Sequence, residues 1–589
     1  MRSSMGIDFL RHQAPVVALG LVGAMFCAPF LVGWHHLPIP SFFNELVAAG
    51  LGLLACALLL RKRYWQEWQF PSIGLLPLGL VLLLILQVVT GLAVFPQQNM
   101  LAALYLLWAC CLIMLGAVLR REFELQKIIL VLCRFTLLAA VLSSLIGLQQ
   151  LFHFHSVFDS WLTVPVSDRL VANLGQPNHL ADLLALGLIS LLLLRARGEL
   201  GILATLASAS LLLFVMGLTG SRSTWLYLFS IALTAMWGGL RGKNNHLVFA
   251  AWLLLPAYAL VQWISSLIVG YMNIESMTSA ERLLSSGDAI SLRWPKWQHA
   301  WSLFLDAPLM GAGFGRFAWT MFDAPGFSPE VSNLEGPAEH AHNLILHLLA
   351  EMGLPAAFLV CAFTLVWAWR LVLSGYSREH WWLLAAATIL GLHSMFEYPL
   401  WYAHFLGVAA ILAGLSETAF MTIQIRFGRA LVFTILLLGG FNLVNLTRDY
   451  VRIESVIGFS SRVGQEVGRI SADVQILADI NRDSLLAPYA TLAVAFGIRP
   501  DPVHLREQLE VCELAQRFSP SKNIVFKYAV LLALAGESQK AEQQMRKAVK
   551  AYPGDVPEVI RQLKGGVAEG VLILNPLLNF LMKESSQKN

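Results

Sequence analysis

The sequence predicts an all-α, polytopic membrane protein of about thirteen transmembrane helices, followed by a helical, tetratricopeptide-like domain. Three observations predict this fold class. Of the 589 residues, 57% are hydrophobic and 13% are charged, whereas roughly a quarter of the residues in a soluble domain are charged. The apolar residues form runs of about 17–25, the length with which a helix crosses a bilayer. After Leu446 the composition changes abruptly to charged and apolar residues at helical spacing.

The apolar runs define the predicted spans. They lie at 14–33, 43–60, 73–95, 101–119, 128–150, 178–194, 201–219, 224–240, 246–269, 343–370, 381–396, 402–421 and 430–446. Arg2 and Arg11 precede the first run and no small-residue cleavage site follows it, so we expect a retained first helix and not a signal peptide. Six of the seven cysteines lie within these runs and are interpreted as small core residues.

Basic residues alternate from loop to loop and set the predicted orientation. Every second loop is basic, with Arg61, Lys62 and Arg63, then Arg120, Arg121 and Lys127, Arg195 and Arg197, Arg241 and Lys243, Arg370 and Arg378, and Arg426 and Arg429. The connections 34–42, 96–100 and 397–401 contain neither Lys nor Arg. Basic loops stay in the cytoplasm, so the N-terminus is predicted there. The odd number of spans then places the chain after Leu446 on the opposite side.

The segment after Leu446 contains a predicted helical repeat in the string VFKYAVLLALAGESQKAEQQMRKAVKAYP. Ala529, Ala541, Ala548 and Pro553 occupy the small-residue and terminating positions of a tetratricopeptide-like hairpin. Ala515 and Pro520 repeat part of this pattern upstream. The segment is therefore predicted to contact other proteins, and the alternative is that it only packs on the membrane-spanning part.

Polar residues of five segments share the predicted outer face. Ionisable residues at a membrane are costly and indicate function by default. The segments contribute Gln176, Asn178 and His179; Arg222; Arg293 and Lys296; His340, His342 and Asn343; and Glu397, Tyr398, Tyr402 and His404. Their convergence on one face predicts a functional site there.

Several of these residues also have simpler interpretations. The spacing of His340, His342 and His347 resembles that of zinc ligands. However, no carboxylate lies at the spacing that zinc enzymes use, so no metal is predicted. Arg222 also suits a headgroup anchor, and Gln176 before a proline suits the start of a helix. The glycines of GAGFGRF follow no strand and are a weak nucleotide signal. The net charge of +4 is too small to indicate a nucleic-acid partner.

The remaining set, two arginines with a histidine and amides, suits a diphosphate ligand. Arginine binds phosphate oxygens through two parallel N–H groups and stays charged. Arg222 and Arg293 are therefore expected to stabilise a departing membrane-borne pyrophosphate without a metal or other cofactor. Histidine is suited to assist an incoming hydroxyl near neutral pH.

At these residues the sequence resembles the bacterial O-antigen ligase and O-antigen polymerase superfamily. His342 and Asn343 are followed by nine residues and Gly353, as in the superfamily motif, although Ala356 replaces its second glycine. The strings LGQPNHLA (174–181) and FEYPLWYAHFL (396–406) resemble the O-linked protein oligosaccharyltransferases of the PglL type, as does a helical domain after the last span. The resemblance extends from about residue 150 onward.

This resemblance implies a GT-C-like enzyme of the bacterial inner membrane, with its active site facing the periplasm. Residues 1–446 would form the transmembrane catalytic domain, including a periplasmic loop at 270–342, and 447–589 the helical periplasmic domain. His342, Gln176 and Tyr398 would be catalytic. The residues expected to bind substrate are Arg222, Arg293, Asn178, His179, Asn343, Lys296 and Tyr402.

The implied reaction transfers a preassembled oligosaccharide from undecaprenyl pyrophosphate to Ser or Thr hydroxyls of periplasmic proteins such as pilins. Three alternatives remain open at this point: ligation of O-antigen to lipid A-core, polymerisation of repeat units, and a transporter or flippase with a regulatory tail. A flippase would line its path with polar groups at several depths, whereas the polar groups of this sequence lie on one predicted face.

The alternation of basic loops predicts the outcome of a topology experiment. A reporter that is active only in the periplasm should be active when fused after Pro177 or Asn589, and inactive when fused after Lys243. Activity after Lys243 would reverse the orientation and remove the shared outer face.

Overall fold

The computed structural model describes residues 2–60, 64, 67–164, 169–242, 245–271, 279–284, 288–324, 336–424, 426–460 and 467–586. Of the basic residues that set the predicted orientation, Arg61, Lys62, Arg63 and Lys243 lie outside this part, as does some of the loop 270–342. Within the described residues the chain is helical apart from one pair of short strands and the connections.

Each of the thirteen predicted spans coincides with a helix. These are α1 (Arg2–Met25), α2 (Phe42–Leu58), α3 (Leu75–Val89), α4 (Pro96–Glu122), α5 (Leu125–Leu151), α6 (Pro177–Ala196), α7 (Ile202–Leu218), α8 (Ser223–Gly242), α9 (Asn245–Tyr271), α13 (Leu344–Leu373), α14 (Arg378–Phe396), α15 (Ala403–Ser416) and α16 (Gly428–Ser460). Among the described helices, 8 are long and apolar enough to cross a membrane, and α2, α7 and α15 are shorter apolar helices. The predicted all-α polytopic membrane protein is confirmed.

Two short strands, β1 (Glu67–Pro71) and β2 (Phe420–Gln424), pair antiparallel with Gln69 opposite Thr422. The second strand occupies the end of the run predicted as a span at 402–421, which is helical only to Ser416. Glu417 explains this end. Its carboxylate accepts hydrogen bonds from the backbone N–H groups of Ile73, Thr418 and Ala419, which turn the chain out of the helix.

The chain divides into two compact units. The first contains residues 1–80, 104–286 and 359–444. Its most buried helix is α6, in which every residue from His179 to Leu194 is buried. A Cβ on Gly187 would lie 2.4 Å from Cβ of Ala140 on α5, so glycine allows these two helices to pack closely. The core of this unit holds α6 in place, and the N-terminus of α6 carries the string LGQPNHLA.

The second unit contains residues 81–103, 287–358 and 445–589. Besides parts of helices already given, its described helices are α11 (Asp288–Asp306), α12 (Phe317–Asp323), α17 (Val467–Asp483), α18 (Ala487–Gly497), α19 (Leu505–Phe518), α20 (Lys522–Leu534), α21 (Ser538–Ala551), α22 (Val556–Ala568) and α23 (Asn575–Ser586); the short α10 (Ser279–Leu284) belongs to the first unit. The chain enters the tail part of this unit at residue 445, beside the predicted boundary at 446.

The predicted repeat corresponds to the helical hairpin of α20 and α21. Gly536, with a φ of +78°, turns the chain between the two helices. Ala529, Ala541 and Ala548 are all buried, as small residues at a close helix contact should be. Tyr552, which follows α21, donates a hydrogen bond of 2.7 Å to the carbonyl of Pro520.

One apolar core joins the tail to residues on both sides of His342. From the segment 300–350 it includes Ala300, Phe317, Met321, Phe322, Ala341 and Ala350, and from the tail residues such as Phe526, Ala529, Met545, Ala548 and Leu581. An ion pair of 2.5 Å between Lys547 and Asp323 reinforces this packing. The tail therefore supports the segment that carries the histidine motif.

Candidate functional site

In the first unit, Gln176 begins helix α6. Its backbone is extended, and its side-chain oxygen accepts a hydrogen bond of 2.7 Å from the backbone N–H of His179, which satisfies a donor that the helix leaves unpaired. Pro177 occupies the first turn, where its missing N–H costs nothing. The helix-starting role that the sequence left open is therefore present.

Asn178 is the centre of a polar network. Its Nδ2 donates to Glu397 Oε1 at 2.8 Å, and its Oδ1 accepts from Arg169 Nη2 at 3.3 Å. Arg169 also donates to the carbonyl of Thr219 at 2.8 Å, and Thr219 lies in the turn that leads to Arg222. This network ties three predicted segments of the first unit together. Arg169 was missed in the sequence because it stands alone in a loop with no motif.

Aromatic rings surround His179. The ring centroids of His179 and Tyr402 are 4.8 Å apart, and Tyr398 stacks on Tyr402 at 5.9 Å. His404 lies close by, at 6.5 Å from His179. Only 4% of the surface of His179 is exposed, so its ring contacts protein, whereas Gln176, Asn178, Tyr398 and Tyr402 are partly exposed.

A buried Asp–His pair below His179 was also missed. Asp182 on α6 and His393 on α14 are wholly buried, with 3.3 Å between Oδ1 and Nδ1. The signal was available, since Asp182 is the only charged residue between Leu180 and Leu194 and a charge in such a helix demands a partner. The pair links α6, whose first turn contains Asn178, to α14, which ends directly before Glu397.

In the second unit, His342 lies in the turn that starts α13. Its φ is +51°, a left-handed conformation that few residues other than glycine adopt. The side chain of Asn343 accepts a hydrogen bond of 3.0 Å from the backbone N–H of Leu346 and so caps the helix. Asn343 thus has a structural task, and it fixes the point at which the chain leaves the His342 turn.

Lys296 and Arg293 lie one turn apart on α11. Lys296 is 7% exposed and Arg293 is partly buried. Lys296 is one of the positive groups near His340. Burial holds the pKa of His340 well below its usual value, and the nearby His347, His342 and Lys296 lower it further. The His340 ring is therefore neutral at neutral pH.

The glycines of GAGFGRF, a weak nucleotide signal in the sequence, surround a carboxylate of the protein itself. Glu351 is 2% exposed, and its two oxygens accept hydrogen bonds of 2.9 Å from the backbone N–H groups of Gly315 and Phe317. Gly311, Gly313 and Gly315 all have positive φ values, which lets the loop bend around the carboxylate.

Gln87 on α3 holds the same loop from another direction. Its Nε2 donates to the carbonyls of Met310 and Glu351 at 2.9 and 2.8 Å, and its Oε1 accepts from the N–H of Phe314 at 3.1 Å. Gln87 lies within the apolar run LLLILQVV. An amide in such a run is expected to be buried and to need hydrogen-bond partners, so the sequence contained a sign of its role.

The predicted site residues thus fall into two groups, one in each unit. The first unit holds Gln176, Asn178, His179, Arg222, Tyr398 and Tyr402, and the second holds Arg293, Lys296, His342 and Asn343. Among the residues that the structure describes, no group of three His, Cys, Asp or Glu side chains is arranged to hold a metal ion.

Three family models match consecutive parts of the chain. Residues 170–194 match the model of a protein glycosylation ligase, 207–361 that of an O-antigen ligase, and 381–563 that of the C-terminal part of a membrane-bound polymerase described as a virulence factor. The first match contains LGQPNHLA, the second contains Arg222, Arg293 and His342, and the third contains FEYPLWYAHFL and much of the tail.

Two curated proteins of Acinetobacter baylyi are similar to the chain. A general O-oligosaccharyltransferase is 24% identical over 531 residues, which cover 87% of this chain and 88% of that protein. A ComP-specific O-oligosaccharyltransferase is 22% identical over 386 residues, 64% of this chain and 67% of that protein. These similarities confirm the resemblance found in the sequence and extend it over most of the chain.

The motif glycine Gly353 generates a stability prediction. Its φ of +75° and ψ of −173° break the helical run of α13, and an added Cβ would lie 2.5 Å from the backbone of Leu309. Gly353→Ala should cost about 1–3 kcal/mol for the backbone conformation alone. We expect a clear fall in the melting temperature of the purified protein in detergent.

Gly391→Ala is the matched control. Gly391 lies within α14, and a Cβ added there would meet no atom within 4 Å, so alanine should leave the melting temperature unchanged or raise it slightly. Equal melting temperatures for the two variants would contradict the constraint assigned to Gly353.

Proposed function

We propose that this relative of the O-antigen ligases and protein glycosylation ligases is an O-linked oligosaccharyltransferase. It would transfer a preassembled glycan from undecaprenyl pyrophosphate to Ser or Thr hydroxyls of periplasmic proteins, of which pilin-like proteins are an example. The observation that carries the proposal is the similarity over 87% of the chain to a general O-oligosaccharyltransferase, together with the motif His342–Asn343 and Gly353. The enzyme would act in the bacterial inner membrane and face the periplasm.

In the proposed reaction the acceptor oxygen attacks the anomeric carbon of the first sugar. A new C–O bond forms as the bond from that carbon to the pyrophosphate oxygen breaks, and the bonding electrons leave with the pyrophosphate. His342 accepts the hydroxyl proton, while Arg222 and Arg293 stabilise the charge on the departing diphosphate. A single displacement of this kind inverts the anomeric configuration.

The other assigned residues have supporting roles in this proposal. Gln176 and Tyr398 would take part in catalysis, and Asn178, His179, Lys296, Asn343 and Tyr402 would bind or orient substrate. The network of Arg169, Asn178 and Glu397 supports this assignment, because it fixes the start of α6 and leaves Gln176 and Asn178 partly exposed.

Two related functions are the alternatives. The match of 207–361 favours ligation of O-antigen to lipid A-core, and the match of 381–563 favours polymerisation of repeat units. Both use the same class of donor and differ in the acceptor. The acceptor is therefore the quantity to test.

The first functional prediction concerns the molecule that accepts the glycan and the role of His342 as the base. Purified full-length protein, supplied with lipid-linked glycan, should glycosylate a pilin-like protein and leave lipid A-core unmodified. His342→Ala should abolish transfer, because no base then remains to take the proton of the attacking Ser or Thr hydroxyl. Binding of the lipid-linked donor should stay near the wild-type level. Gel mobility and intact-protein mass spectrometry measure the product.

The full chain is needed in this experiment, because removal of the tail would expose the core shared by Phe317, Phe322 and Ala341. Glycan attachment to lipid A-core with none to protein would overturn the proposed acceptor. Transfer by His342→Ala at the wild-type rate would remove His342 from the mechanism.

The second functional prediction concerns the diphosphate. Arg293→Lys keeps the charge but loses the planar pair of N–H donors, so we expect a fall in kcat of at least tenfold with normal membrane insertion. Arg561→Lys, an exposed change on the tail, is the matched control and should have no effect.

Excess EDTA should leave the rate unchanged if arginines stabilise the leaving group. A loss of activity with EDTA that Mg²⁺ or Mn²⁺ restores would contradict this role for the arginines.

A further inference from the structure

We propose that Glu351 is a positioning residue for the transfer reaction, which orients the His342 turn through a chain formed by His347 and His340. The inference rests on the proposed function and adds a group outside the assigned set. Glu351 would touch neither donor nor acceptor, and it would act only through the two imidazole rings.

The first link of the chain is Glu351 with His347. Both side chains are almost completely buried on α13, one turn apart, and His347 Nε2 lies 3.3 Å from Glu351 Oε2. The same oxygen accepts the N–H of Gly315, and the other accepts the N–H of Phe317. The carboxylate is therefore fixed by the backbone of the glycine loop, so the position of the His347 ring is fixed as well.

The second link determines which nitrogen of His347 carries the proton. The backbone N–H of Ala341 donates to His347 Nδ1 at 3.4 Å, so this nitrogen carries no hydrogen. The proton of the neutral ring is then on Nε2, which faces Glu351. This hydrogen bond also attaches the chain between His340 and His342 directly to the ring.

The third link is His340, whose Nδ1 lies 3.4 Å from His347 Nε2. His347 Nε2 carries a single hydrogen, which is therefore shared between Glu351 Oε2 and His340 Nδ1. His340 Nδ1 is then an acceptor, and the His340 proton is on Nε2. The charged and titratable groups that face His340 are His347 on α13, Lys296 on α11 and His342 in the same turn. Burial and these neighbours hold the pKa of His340 well below its usual value, so the ring is neutral, and its contact with His347 assigns the one proton to Nε2.

His340 and the backbone N–H of Ala341, which directly precede His342, are thus held by one buried carboxylate. The turn that they flank has the positive φ of His342, a conformation that surrounding contacts must hold in place. Misplacement of a catalytic group by about 1 Å can cost on the order of 10²-fold in rate. Loss of the chain should therefore lower kcat and leave the KM for the donor nearly unchanged.

The test uses the amides that imitate the two nitrogens of histidine. Glutamine places an N–H where Nε2 stands, and asparagine places an oxygen where Nδ1 stands. At His347 the contacts with Glu351 and His340 are both made by Nε2, so His347→Gln should keep kcat within about threefold of wild type. His347→Asn retains only an acceptor for the N–H of Ala341 and should lose roughly 10²-fold. At His340 the chain uses Nδ1, so the order should reverse: His340→Asn should stay active and His340→Gln should not.

His299 provides the matched control. It is a partly buried histidine on α11 whose Nε2 lies 3.2 Å from Thr320 Oγ1, outside the chain of Glu351. Its Asn and Gln variants should have equal kcat values. Melting temperatures measured on all variants separate a loss of folded protein from a loss of rate, and the His340 pair keeps the test decisive if a His347 variant fails to fold.

Reversed preferences at His347 and His340 would support the proposal. The same preference at both positions, or wild-type kcat in all four variants, would overturn it. The proposed function fails separately, since in that case the wild-type enzyme in the same assay would transfer no glycan to the protein acceptor.

Discussion

The second unit depends on the need to satisfy one buried carboxylate. Glu351 lies in an apolar helix with 2% of its surface exposed, and a carboxylate in that position is costly unless its oxygens accept hydrogen bonds. The glycine loop 311–317 supplies two backbone donors and His347 lies against the same group. The positive φ values of the loop, the break in α13 at Gly353 and the order of the histidines around His342 are all compatible with this single requirement.

The need to reach Glu351 also accounts for the close approach between the backbone of the glycine loop and that of α13. The N–H groups of Ala312 and Gly313 donate to the carbonyls of Ala350 and Glu351, and Leu354 donates to the carbonyl of Pro308 at 2.8 Å. A Cβ at Gly311 or Gly353 would overlap the facing main chain. The glycine of the histidine motif therefore lets the loop reach Glu351. Ala356, which replaces the second motif glycine, is fully buried.

The sequence predicted the membrane helices well because each depends on a local run of apolar residues. Each of the thirteen runs contains a helix, although the run 402–421 ends in strand β2, and the tail hairpin followed its small-residue pattern. Residues whose roles depend on distant partners were not predicted. Glu351 and its partner Phe317 in the glycine loop are more than thirty residues apart in the sequence. Gln87 and Met310 are more than two hundred residues apart. In each case a polar residue in an apolar run was visible, but its partner was not.

The shared core of the tail has a consequence for the construction of chimeric proteins. Phe317, Phe322 and Ala341 pack in one cluster with Phe526, Ala548 and Leu581, so the tail and the segment 287–358 share one packing constraint. A chimera that receives the tail of a relative alone would join two halves of unrelated cores. Grafts of the tail would have to carry the segment 287–358 together with 445–589, because the two segments complete one core.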